Sequence, residues 1–419
     1  MLISSLVPVA NPASGFDIAN RVILDGLRQL GHTVSVVGYL QPGQTPADPD
    51  ATHILGELEV TNSRVGAARR AGWLARAIAA NTAVSSAKML AVSSTRIQSI
   101  LKTLEPFDGL VLNSVQLPGA FQPIFRRYPY IYVAHNVEFQ SALQNAQQAE
   151  GWLERMLFKR EAHYLERMET GLARDADWVW TFAEEDRFGF GQSGARNATA
   201  LPLVTSVSEP VQTAGEVIEH DLGLIGTWSW KANRIGLDWF LNEVTPLLPK
   251  EFRIAIAGQF PDPPPVSHPG VCFVGRVPDA RAFARSCQVL PLVSKAGSGV
   301  QLKTIEAFEL GLPVVATRAS LRGIGAPPEN CLIEDDAHAF ANACIRLVSA
   351  ARLGVSARLD GRIFHRAQIE ALLEKMGNGL ARLGQASHPP VVAPSLAAVT
   401  ACTAPLSRVQ NPARERSVL

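Results

Sequence analysis

The sequence predicts an α/β protein built as two successive halves, each a parallel sheet covered by helices. Three observations lead there. Short runs of branched apolar residues alternate with amphipathic helical stretches, the pattern of strand–helix–strand units. That rhythm begins at residue 2 and starts again with new material near residue 218. At 419 residues the chain also exceeds what one hydrophobic core commonly serves.

The first half opens on the apolar run Leu2–Val7, stopped by Pro8. No basic segment precedes it, so it reads as a strand and not as a secretory leader. Residues 17–30 place Ile18, Val22, Ile23, Leu27 and Leu30 on one helical stripe, closed by Gly31, and Thr33–Gly38 is the next strand. Between first strand and helix lies the loop Asn11–Phe16 with Gly15, at the carboxyl edge where parallel sheets bind ligands. Gly15 is either a plain turn residue or one that admits a ligand closely. Gly109–Asn113 and Tyr130–Asn136 read as buried strands with polar ends. Residues 152–176 read as a long, charge-rich helix and Trp178–Phe182 as a strand.

Ser206, Ser208, Pro210 and Gly215 break both periodicities, which sets the expected boundary and gives halves of 1–212 and 213–383. In the second half, strands are expected at Leu222–Gly226, Phe252–Gly258, Val271–Gly275, Gln288–Leu292 and Pro313–Thr317. Residues 384–419 turn to Ala, Pro, Ser and Val without period and are expected to be disordered.

Composition excludes several classes. A net charge of +1 gives no support to nucleic-acid binding, and no apolar run approaches the ~20 residues of a spanning helix. Five cysteines (272, 287, 331, 344 and 402) form no C-x-x-C pair, which favours reduced thiols and a cytoplasmic setting over a disulfide framework or zinc site. One stretch is lopsided: Val60–Leu104 holds no acidic residue but includes Arg64, Arg69, Arg70, Arg76, Lys88, Arg96 and Lys102. Such a segment can face an anionic acceptor or membrane, or be a solvated face paired elsewhere.

The most informative segment is Gly297-Ser298-Gly299-Val300-Gln301-Leu302-Lys303-Thr304-Ile305-Glu306, followed by Gly311 and the apolar run Pro313–Thr317. A glycine-bounded loop opening a short helix offers unpaired backbone N–H groups to an anion. Lys303 and Glu306, three residues apart, share one helical face. An ammonium there suits a phosphate, and a carboxylate suits the cis-diol of a ribose. The competing reading is an i,i+3 ion pair between the two. Asp335-Asp336 looks like a metal-binding pair, but its place before a helix at 337 makes capping the better explanation.

Together these residues resemble a family. Gly26–Val34, Val133–Glu138, Leu224–Asn233, Phe273–Asp279 and the 297–306 motif, in this order and spacing, resemble the GT-B glycosyltransferases, in particular the retaining family four. The resemblance covers roughly 1–383 and implies two Rossmann-like domains facing a cleft. It implies a nucleotide-sugar donor, UDP- or GDP-linked, held mainly by the second domain, with no metal or other cofactor. The donor set it implies is Gly15, Gly226, Thr227, Lys231, Asn233, Gly297, Ser298, Gly299, Val300, Lys303 and Glu306. His135 is implied near the transferred sugar, and with Lys303 and Glu306 makes up the expected catalytic group.

Two departures stand out. The family usually has two glutamates in the donor loop and helix. Here Glu306 fills the second place and Ser298 the first, a form found in a subset serving surface polysaccharides. Thr227 stands where most members place an arginine, and Lys231 and Arg234 only neighbour the usual lysine. The resemblance implies sugar transfer with retained configuration to a saccharide acceptor, and the expected class is a lipid-linked saccharide of exopolysaccharide or lipopolysaccharide assembly at the inner membrane face. Arg69, Arg70 and Arg76 would lie on the acceptor or membrane side. The alternatives are a nucleotide-sugar epimerase of the same fold and an inert nucleotide-sugar-binding protein. A dehydrogenase is disfavoured, since no G-x-G-x-x-G follows the first strand.

Overall fold

A computed structural model describes residues 1–60, 65–149, 151–210, 217–260, 263–297 and 299–385. The first half contains β1 (Leu2–Leu6), α1 (Gly15–Gln29), β2 (Val36–Leu40), β3 (Thr52–Glu57), α2 (Ala67–Ala79), α3 (Val84–Met89), α4 (Ser94–Thr103) and β4 (Leu110–Asn113). It continues with α5 (Gln116–Ala120), α6 (Gln122–Phe125), β5 (Tyr130–Val133), α7 (Glu138–Gln148), α8 (Trp152–Asp175), β6 (Trp178–Thr181), α9 (Glu184–Gln192) and β7 (Ala198–Ala200). The second half contains β8 (His220–Ile225), α10 (Lys231–Trp239), β9 (Ile254–Ala257), β10 (Val271–Gly275), α11 (Ala280–Arg285) and β11 (Cys287–Leu292). Then follow α12 (Leu302–Glu309), β12 (Val314–Ala316), β13 (Cys331–Ile333), α13 (Ala337–Arg352) and α14 (Gly361–Leu380).

The strands form two sheets in which every strand pair is parallel. Their orders are β3-β2-β1-β4-β5-β6-β7 and β10-β9-β8-β11-β12-β13. In each sheet the order reverses beside the first strand, between β1 and β4 and between β8 and β11. Parallel sheets bind ligands at the carboxyl ends of such strands. The loops leaving β1, β8 and β11 lead into α1, α10 and α12, which hold the expected donor residues.

Both faces of the first sheet are apolar. Ile3, Leu112 and Tyr132 enter one core, while Leu2, Val111 and Ile131 enter the other. The second sheet repeats the arrangement, with Leu222, Ile254 and Val315 on one side and Ala255, Leu290 and Val314 on the other. Double-sided burial explains why these strands read as unbroken apolar runs. β3 and β7 gave no such signal, because they sit at the edges of their sheet and most of their residues are only half-buried.

The last helix adds something that residue order does not show. The sequence places 361–380 with the second half, yet Leu372 and Met376 are buried in a core of the first, and Lys375 donates to the Ala200 carbonyl at 2.8 Å. Gly379 lies so close to Trp180 that a Cβ there would stand 2.6 Å from the indole nitrogen. At the junction, buried Glu309 of α12 accepts the Thr205 N–H at 3.0 Å and the His365 Nδ1 contact at 3.1 Å. Removing one partner of such a buried cluster leaves a desolvated charge, which is costly. Asp336 caps α13 through the Ala339 N–H at 3.0 Å, as its position before the helix suggested, and Asp335 accepts the Arg318 N–H at 2.9 Å. Among the described residues no helix is long and apolar enough to cross a membrane. The expected tail lies, from residue 386 onward, outside the described residues.

Candidate functional site

The site is built on the loop between β11 and α12. Gly297 and Gly299 adopt φ of +105° and +76°, which side chains resist, so both glycines are required by the backbone path. Ser298 between them lies outside the described residues. α12 then starts at Gln301 with no side-chain cap. Its first amides therefore keep the donor capacity that capping would have consumed. α1 and α7 differ. Ser14 and Asp17 form a capping box on α1, and buried Glu169 accepts the Glu138 and Phe139 N–H groups at 2.9 and 3.1 Å. Burial pushes the Glu169 carboxyl up to about 8 despite those bonds.

α1 faces α12 across the cleft. A Cβ on Gly15 would meet Leu302 Cδ1 at 3.0 Å. Gly15 is thus the first helical residue of α1, without a positive φ, and its missing side chain permits the approach. The first residues of α1 and α12 meet there, and the uncapped start of α12 favours an anion.

Lys303 borders a narrow cavity of about 20 Å³, room for about one water, shared with Ile225, Trp228 and Glu306. Burial without a compensating charge lowers its ammonium to about 8. Glu306 does not pair with it. The Glu306 Oε1 accepts from Arg281 Nε at 2.9 Å, and Arg281 also donates to Thr205 Oγ1 at 2.8 Å. The alternative of a Lys303–Glu306 ion pair is therefore replaced by one with Arg281, a residue that the sequence gave no reason to single out.

His135 stands at the end of β5. Phe16 packs against its ring at 4.8 Å and Phe182 meets it edge-on at 5.3 Å. Its Nε2 lies 2.8 Å from Asn113 Oδ1, while the Asn113 amide nitrogen donates to Asn20 at 2.7 Å. Asn113 Oδ1 must then accept, so Nε2 carries the proton and Nδ1 keeps its lone pair. Desolvation lowers the ring to about 4, which makes it a neutral hydrogen-bonding group at physiological pH. Beside it, Asn136 has a buried Oδ1 with no partner among the described residues, and a Cβ on Gly299 would stand 3.9 Å from Asn136 Cβ. Residue reasoning passed over Asn136, although it follows His135 directly.

The loop after β8 departs from the expected set. Gly226 packs under the Trp228 ring, whose Nε1 donates to the Ala257 carbonyl at 2.7 Å. The Asn233 side chain donates to the Thr227 carbonyl at 3.1 Å, so in this conformation it closes its own loop. Arg234 pairs with Asp238 at 2.7 Å within α10. Lys231 is exposed and lines a cavity with Gly297. Arg322, also missed, donates to the Gly297 carbonyl and braces the donor loop.

The structure thus brings Gly15, His135, Gly297, Gly299, Lys303 and Glu306 to the carboxyl edges of the two sheets. Arg69, Arg70 and Arg76 lie exposed on α2, where Arg69 packs over the Trp73 ring at 5.7 Å. They take no part in the contacts that assemble the cleft among the described residues. No three His, Cys, Asp or Glu side chains among those residues come together as metal ligands would.

Residues 219–350 match the family model described as glycosyl transferases group 1. The matched segment lies within the second half of the chain. It contains α10, the donor loop and α12, together with Arg281 and Arg322. No curated protein sequence matches the chain. Among solved structures, a sucrose-phosphate synthase from Thermosynechococcus elongatus aligns with a TM-score of 0.59 at 17% identity, covering 92% of this chain and 100% of that one. HepE (Alr3699) of Anabaena, in complex with UDP and glucose, gives 0.57 at 13%, covering 91% and 100%. An α,α-trehalose 6-phosphate synthase from Burkholderia multivorans gives 0.53 at 12%, covering 91% and 97%. These likenesses establish the GT-B fold for the two-sheet architecture.

The Asn113–His135 bond has a measurable consequence. Because the folded ring titrates at about 4 instead of 6.5, protonation favours unfolding, and stability from this site is lost as pH falls through that window. Asn113→Asp puts a carboxylate beside Nε2 and raises the His135 pKa by roughly one unit or more. NMR titration of the imidazole reads this directly; identical titration in both proteins would contradict the hydrogen bond.

Proposed function

We infer that the protein is a retaining glycosyltransferase that moves a sugar from a nucleoside-diphosphate sugar to a saccharide acceptor. The observation that carries this is the uncapped start of α12 facing Gly15, with Lys303 in its first turn and Glu306 one turn further on. The group 1 domain supports the reaction class, and the HepE complex with UDP and glucose supports a uridine-linked donor.

In this reading the pyrophosphate lies between the N-termini of α12 and α1. Glu306 accepts hydrogen bonds from the ribose hydroxyls, beside its Arg281 contact. Lys303, with Lys231 from α10, neutralises the charge that grows on the leaving phosphate. Those cations and amides supply the stabilisation that a divalent metal would otherwise give. The bond between the anomeric carbon and the phosphate oxygen breaks, and the acceptor oxygen bonds to that carbon. The acceptor proton goes to the departing phosphate. Neutral His135, with a free lone pair on Nδ1, accepts a hydrogen bond from a sugar hydroxyl and does not act as an acid. The carboxylates around the cleft have other roles: Glu306 pairs with Arg281, and Glu169 caps α7. This favours direct transfer over a covalent glycosyl intermediate.

Lys303 makes donor binding pH-dependent. A free-protein pKa of about 8 means that the ammonium is largely charged at pH 7 and largely neutral at pH 9. UDP affinity should therefore fall roughly tenfold between those values. Lys303→Met should weaken binding about 10- to 100-fold at pH 7 and flatten the dependence. Calorimetric titration at both pH values decides it; a wild-type affinity that ignores pH would contradict the role of Lys303.

For the acceptor we favour a lipid-linked saccharide of exopolysaccharide or lipopolysaccharide assembly, met at the cytoplasmic face of the membrane. Support comes from α2, which exposes Arg69, Arg70 and Arg76 together with Ile78, 60% exposed. A basic helix with an apolar residue on its open side suits an anionic lipid surface. Co-sedimentation with phosphatidylglycerol vesicles should fall several-fold in Arg69→Glu/Arg70→Glu; unchanged sedimentation would remove the membrane from the proposal.

A further inference from the structure

We propose that the cavity between α7 and the start of α10 is the acceptor subsite and that it takes a neutral saccharide. The proposal rests on the donor reading above and deepens it. The cavity measures about 420 Å³, within the range of a few hundred to a thousand Å³ common for small-molecule sites.

One wall is a single face of α7. Ser141, Gln144, Asn145 and Gln148 follow the i, i+3, i+4, i+7 spacing of one helical stripe, while Ala142 and Ala146 are buried on the other side. The opposite wall is Trp230 and Lys231, and Gly297 of the donor loop borders the same space. An occupant would therefore present a hydroxyl beside the donor sugar.

The chemistry of the stripe is unusual for an open helix face. A solvated face ordinarily carries Lys, Arg and Glu, as neighbouring α8 does in exposed Glu154, Arg155 and Lys159. α7 carries one ionisable residue, Glu138 in its first turn, and its other polar residues are amides and Ser141. Each amide offers an acceptor and a paired donor on one plane, which matches adjacent hydroxyls of a pyranose ring. Gln144, Asn145 and Gln148 make no hydrogen bond to any described residue, so these groups are available. Trp230 is 54% exposed and its backbone N–H is fixed to the Thr227 carbonyl at 3.2 Å. A held, open indole gives the apolar face of a sugar a surface to stack on. Glu154 and Lys231 are the ionisable groups of the lining, one of each sign. With Lys231 engaged by the donor phosphate, Glu154 is the ionisable group left to face an occupant, which suits an uncharged ligand and disfavours a sugar phosphate.

The test is a set of titrations of the intact protein. UDP is added to saturation, and maltose, cellobiose and glucose 6-phosphate are then titrated separately, with saturation-transfer NMR as the readout. The expected result is binding of a neutral disaccharide that weakens at least tenfold in Gln144→Ala/Asn145→Ala and in Trp230→Ala, at unchanged melting temperature. UDP affinity should be unchanged in the α7 double variant. No disaccharide binding alongside normal UDP binding overturns this proposal alone. So does equal binding by the variants, or a preference for glucose 6-phosphate. Disaccharide binding without UDP binding overturns the donor reading instead, and with it the assignment of the cavity to an acceptor.

Discussion

The start of α12 holds the account together, because no side chain among the described residues caps its first backbone donors. Gly297 and Gly299 bend the chain so that the helix opens toward the first half, and Gln301 supplies no side-chain cap. Gly15 brings the N-terminus of α1 against Leu302. The first turn of α1 carries its own carboxylate in Asp17, whereas α12 has no acidic residue in its first turn, so its partial positive charge is open to an anion. Lys303 adds to that field from a desolvated position, where it is held below its ordinary pKa. An anion placed at that helix start would meet both its uncapped amides and the Lys303 ammonium. In the proposed reading that anion is the donor's pyrophosphate.

The surrounding scaffold links that point to the junction between the halves. Arg281 bridges Glu306 and Thr205, and Thr205 in turn donates to Glu309, which contacts His365. The carboxylate expected at the ribose is thus joined through one guanidinium to the segment connecting the halves. α14 then returns to bury Leu372 and Met376 in the first half. Glu306 and Glu309, three residues apart on α12, divide the work: one borders the site and the other anchors the helix.

Much of this was legible because it is written in local pattern. Double-sided burial made the central strands read as apolar runs, and the glycines at 297 and 299 marked a backbone path that other residues resist. The helix that carries Lys303 and Glu306 on one face followed from spacing. What escaped depends on contacts between distant residues. Arg281 reaches Glu306 from 25 positions away, and Arg322 reaches the Gly297 carbonyl from the same distance. Neither has a neighbour in sequence that hints at its partner. Asn136 was within reach, since a polar residue after a cleft histidine could have been examined with it. Thr227 and Asn233 were expected at the donor, yet they bond to each other across a loop turn. The amide stripe of α7 was visible as composition, but only the facing Trp230 gives it meaning.

A crystal structure of the protein with UDP tests the central claim most directly. The account predicts pyrophosphate oxygens within hydrogen-bonding distance of the amides that open α12, between Leu302 and Gly15, with the ribose hydroxyls on Glu306. Nucleotide bound elsewhere, or phosphates that leave those amides unpaired, would contradict it.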